Sequence, residues 1–77
     1  MSRYIKVTLK ALPKDRVNAK NYKSRFGAWE SGEVMDTETK FRSDGTYHNI
    51  YRVILDRRSD KGNYLILYVG DDKIEKA

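Results

Sequence analysis

Lys6, Thr8 and Lys10 recur at every second residue, and Lys14, Arg16, Lys20, Lys23 and Arg25 continue the basic series. The chemistry open to such a series is phosphate binding, because ammonium and guanidinium groups neutralise a polyanion and release its counterions. Tyr4, Tyr22 and Trp29 stand among these cations, and aromatic rings between basic groups stack on unpaired bases in small sheet and barrel proteins. Residues 1–28 hold eight Lys/Arg against the single acid Asp15, a charge of +7; residues 29–77 hold eight against ten acids, a charge of −2. Charge of that density acts over a Debye length of about 8 Å at physiological salt. The same lysines have two other uses: keeping an edge strand from pairing with foreign sheets, and docking onto an acidic protein surface.

The remaining polar residues offer less. His48, the one histidine, sits between Tyr47 and Asn49 with no second group at a spacing that acid–base chemistry would need, so it reads as a surface or cross-strand residue. Glu30, Glu33, Asp36 and Glu38 lack the glycine and closing glutamate of a calcium loop; they are expected to pair with the basic segment or to face solvent. The absence of cysteine excludes disulfides and thiolate metal sites, and a lone histidine cannot assemble a zinc site without unusual help from carboxylates. No serine has a nucleophile-elbow context and no Gly-rich loop precedes a helix. The expectation is a non-enzymatic protein with no catalytic residues, metal or cofactor.

The elements that must position the basic residues are those of one small domain, 77 residues long. Ile5, Val7, Leu9 and Ala11 alternate with Tyr4, Lys6, Thr8 and Lys10, which predicts a half-buried strand with a basic face, ended by Pro13. Over residues 14–26, Ala19, Tyr22 and Phe26 fall at i, i+3 and i+7. That spacing predicts a short helix with Gly27 as its C′ residue, or else an ordered basic loop. Residues 33–42, 46–56 and 64–69 read as strands, with Asp44-Gly45 as a tight turn and residues 57–63 as a polar one. The fold class is therefore α+β, mainly antiparallel β: an N-terminal strand, a short helix or loop, then a three-stranded meander. The alternative is a small five-stranded barrel of the SH3-like or OB-like type. Residues 1–70 form the domain and the charged tail, 71–77, is expected to fray.

Within the meander, Tyr47 and Tyr51 share one strand face and Tyr64 and Tyr68 share another. If the register brings these faces together they form a tyrosine ladder, stabilising the hairpin or meeting a protein partner. Ile50–Leu55, a polar turn and then Leu65–Gly70 resemble the C-terminal hairpin of RelE-type ribonuclease toxins, small basic proteins that cut mRNA on the ribosome. The resemblance covers about 21 residues and implies that Arg52, Arg57 and Tyr68 lie near RNA. That family carries two helices between its first strand and its meander, which the short segment here does not supply.

These features predict a protein whose basic N-terminal face, strand 4–10 with segment 14–25, contacts nucleic acid or a nucleoprotein complex. The alternative is a small inhibitor or adaptor, of the kind a virus or mobile element encodes, that binds and regulates a larger protein. No apolar run approaches the roughly 20 residues of a membrane span, and no signal-peptide core follows Met1, so the expected setting is cytoplasmic, away from membranes. The oligomeric state stays open.

Overall fold

Val17 and Ala19 alternate with Arg16, Asn18 and Lys20, and pairing with a strand on each side realises this two-residue period in place of the helical spacing of Ala19, Tyr22 and Phe26. In the computed structural model, which describes residues 6–77, the segment forms strand β1, Arg16–Lys20. It is followed by β2, Trp29–Phe41, β3, Tyr47–Arg58, and β4, Tyr64–Gly70. A three-residue 3-10 turn, Asp71–Lys73, leads into β5, Ile74–Lys76. All pairings are antiparallel, in one open sheet of order β4-β3-β2-β1-β5. β4 and β5 are its two edges, yet only three residues separate them in the chain. The sheet must therefore twist and curl until its edges approach one another. Among the described residues no helix is long and apolar enough to cross a membrane.

The concave face carries the core. Val17 and Ala19 of β1, Val34 of β2, Tyr51, Val53 and Leu55 of β3, Leu67 and Val69 of β4, and Ile74 of β5 are all buried. In β2 the ladder register shifts between Val34 and Asp36, so Met35 is the extra residue of a β-bulge. The shift has a physical consequence: it turns Asp36 and Glu38 to the convex face and Thr37 and Thr39 to the concave one. Unbulged alternation would bury both carboxylates on the side of Val34.

Three expectations are corrected. Residues 6–12 form no strand. They cross the concave face, bending at Lys10 and Ala11, with Val7 and Leu9 half-buried and Ala11 buried. They join no sheet ladder because β1 already has a neighbour on each side, β2 and β5. Residues 14–26 contain no helix: Asn18 and Asn21, weak helix formers, sit respectively in β1 and in the loop after it. The tail 71–77 does not fray, because Ile74 is 1 % exposed and β5 pairs Ala19 with Ile74 and Val17 with Lys76. What forms is thus one open five-stranded antiparallel sheet in place of N-terminal strand and helix, with β2, β3 and β4 pairing in succession on one side of it. Residues 1–5 lie outside the described residues, and with them Tyr4 and the start of the expected strand.

The N-terminal segment is fastened by side chains instead of a ladder. The Lys10 N–H donates to the Tyr51 hydroxyl at 2.8 Å, and that hydroxyl donates to Asp71 at 2.5 Å. Asn49 Nδ2 donates to the Thr8 carbonyl at 2.8 Å and to Asp71 at 3.2 Å. Burial, and then the bond to Asp71, pushes the Tyr51 hydroxyl up to about 12 from its ordinary 10.0. The folded state holds that proton more tightly, so the contribution is intact below pH 10 and is lost as pH rises toward 12. Tyr51→Phe should lower stability by about 2 kcal/mol at neutral pH, since it leaves an amide and a carboxylate short of a partner. Urea unfolding at pH 7 and pH 11 checks both parts, because the variant should also lose less stability than the parent between those two values.

Candidate functional site

The loop between β1 and β2, residues 21–28, is built around one buried polar side chain. Asn21 is 7 % exposed; its Oδ1 accepts the Lys23 N–H at 3.0 Å and its Nδ2 donates to Glu30 at 2.7 Å. Its own N–H donates to the Ala28 carbonyl at 2.8 Å, and the Ser24 hydroxyl links the Asn21 carbonyl to the Ala28 N–H. Gly27 closes the loop at φ +58, and a Cβ there would lie 3.0 Å from the Lys20 side chain. A loop held this way keeps its shape while its other side chains project outward.

Those projecting side chains are aromatic and basic. Phe26 is 86 % exposed, Tyr22 53 % and Trp29 45 %. Lys23 and Arg25 are exposed, with the Arg25 guanidinium 5.6 Å from the Phe26 ring centroid. Lys20 stands directly across from Trp29 in the β1–β2 ladder. The same end of the sheet carries Arg57 and Arg58 at the close of β3. Arg58 lies 4.1 Å over the Tyr64 ring, while Arg57 pairs with Glu30. That pairing, assisted by the Asn21 amide, holds the Glu30 carboxyl below the usual carboxylate range. Between the loop and the β3–β4 turn runs a groove of about 330 Å³, with Leu65 and Leu67 on its floor and Lys23 and Arg57 at its rim.

The structure therefore gathers five of the residues marked by sequence, Lys20, Tyr22, Lys23, Arg25 and Trp29, and separates them from the rest. Lys6 and Lys10 project from the N-terminal segment, which is bound at Tyr51 and Asn49. Five residues of β3 lie between Tyr51 and Arg57, and the separation is about 20 Å at strand rise. Lys14, at φ +75, donates its N–H to the Val34 carbonyl. Arg16 is held by Asp56 in a surface ion pair, which places the Asp56 carboxyl below its usual range. Among the described residues, no single basic face joins 6–10 to 14–25.

The tyrosine ladder does not assemble either. β3 and β4 pair Tyr51 with Val69 and Arg52 with Tyr68. Tyr51 is consequently inside and Tyr68 outside, 54 % exposed, and Tyr64 meets Arg58 instead of a tyrosine. Arg52, which the toxin resemblance placed near RNA, pairs with Asp36 on the convex face. Sequence reasoning left Phe26, Arg58 and Tyr64 out of the basic site. The helical spacing had assigned Phe26 to a buried face, and only the strand register brings residues 57–64 beside residues 20–29.

No protein-family model, curated protein sequence or solved structure matches this chain.

Proposed function

We propose that this protein binds single-stranded nucleic acid, with loop 21–28 and the adjoining ends of β2 and β3 as the contact surface. One observation carries the reading: three exposed rings, Tyr22, Phe26 and Trp29, stand among Lys20, Lys23 and Arg25 on a loop with a fixed frame and the strand ends that flank it. Rings supply sequence-tolerant stacking, and the cations track the backbone phosphates. The order β4-β3-β2-β1-β5, with its edges curled together, supports the SH3-like barrel as the finer description of the fold. Affinity on this reading comes from phosphate contacts and stacking, with little discrimination among bases.

The test is a titration against fluorescent single- and double-stranded DNA and RNA at two salt concentrations. Single strands should bind more tightly than duplexes, with affinity falling steeply as salt rises. Phe26→Ala and Tyr22→Ala should each weaken binding by about fivefold to a hundredfold, the effect of losing one stacked base. The triple change Lys20→Ala, Lys23→Ala and Arg25→Ala should lower the steepness of the salt dependence by about 2, at roughly 0.7 per phosphate contact. Loop variants that bind as the parent does would refute the reading.

A further inference from the structure

The two edges of the sheet are protected very unequally. β5 is three residues long, Ile74–Lys76, and carries Glu75 and Lys76; a short charged edge discourages foreign strands. β4 is seven residues, Tyr64–Gly70, with no charged residue and no proline. Among the described residues its only neighbour in the sheet is β3, and no backbone bond joins it to any loop. The side chains it turns to the convex face are Tyr64, Ile66 and Tyr68, at 64 %, 36 % and 54 % exposure. A long, uncharged edge of this kind offers a row of free N–H and C=O groups as a template for another strand.

We propose that the occupant of this edge is β4 of a second copy of this chain, added antiparallel about a two-fold axis near Ile66. The charges flanking the strand argue for that partner. One end is bordered by Arg58, Asp60 and Lys61, a net positive group, and the other by Asp71, Asp72 and Lys73, a net negative one. Antiparallel addition sets the positive end of each copy beside the negative end of the other, twice. A two-fold on Ile66 also places Ile66 against Ile66 and Tyr64 against Tyr68, so the convex faces of the two sheets continue into one another. Away from β4 the surface carries an excess of positive charge, which opposes association through other faces. The product is a ten-stranded sheet with its two 21–28 loops on separate subunits.

Sedimentation velocity across the micromolar range tests this. The parent should convert from monomer to dimer with concentration. Ile66→Lys and Tyr68→Lys should each weaken the dimer tenfold or more while circular dichroism shows an unchanged fold: the first sets two ammonium groups directly across the new strand pair, and the second replaces the ring that packs against Tyr64 of the other copy with a charge. Lys61→Asp should weaken the dimer, and adding Asp72→Lys should restore it, since the pair of changes exchanges the signs of the two ends. A parent that stays monomeric throughout the range overturns the proposal. So does a dimer that folded Ile66→Lys and Tyr68→Lys leave untouched.

Discussion

Replacing Ile74 by alanine should remove most of this protein's stability. Ile74 opens β5 and is 1 % exposed, one of the largest side chains fully buried in the core beside Tyr51 and Leu55. Cutting a buried isoleucine to alanine costs about 2–5 kcal/mol, because the cavity left behind adds to the lost transfer energy. A domain of this size retains only about 3–5 kcal/mol in all. The melting temperature, followed by circular dichroism, should fall by at least about 8 °C, taking 4 °C per kcal/mol for a chain this short. Deleting residues 71–77 goes further: it also removes Asp71, which Tyr51 and Asn49 hold, and the truncated chain should not fold. A frayed tail would predict no change in either variant, so the result decides between the two descriptions.

The second large effect is expected at Gly32. It lies in β2 between Val17 of β1 and Leu55 of β3, and a Cβ there would stand 2.5 Å from the Ile54 carbonyl oxygen and 2.9 Å from Val53 Cγ1. The carbonyl belongs to the neighbouring strand of a sheet paired on both sides. It cannot retreat without loosening the ladder at Glu33 and Ile54. Gly32→Ala should therefore reach or pass the upper end of overpacking costs, about 3 kcal/mol, and Gly32→Val should leave the chain unfolded. Gly45→Ala is the control: no atom lies within 4 Å of its Cβ position, and only the positive φ of +89 opposes it, a cost of about 1–2 kcal/mol. Urea midpoints of Gly32→Ala and Gly45→Ala, with unchanged slopes, give the comparison directly.

Neither prediction touches the candidate interface, and the two surfaces respond to different variables. Loop 21–28 takes its shape from the Asn21 bonds and from Gly27, so its rings and cations can be replaced without disturbing the core. Substitutions there should alter nucleic-acid affinity and its salt dependence while leaving the melting temperature close to that of the parent. The tyrosine hydroxyl at the opposite end acts the other way: Tyr51→Phe alters stability without removing a surface cation.

The sequence by itself determined the local features. Runs of Tyr, Val, Ile and Leu, apolar on both faces, in residues 46–56 and 64–69 mark extended chain, Asp44-Gly45 marks a turn now seen with Gly45 at positive φ, and the charge imbalance marks where cations outnumber acids. These follow from backbone sterics and side-chain polarity, which neighbouring residues carry. Tertiary structure decided everything that depends on a distant partner. Ala19 is a strand residue because Glu30 and Ile74 stand beside it, and Ile74 comes from the far end of the chain. A five-residue strand has too few alternations to outweigh a helical spacing that overlaps it, so pairing had to settle the matter. The same pairing took the edge of β1 that residues 6–12 would have needed, left those residues to be held by Tyr51 and Asn49, and divided one basic stretch between two ends of the sheet.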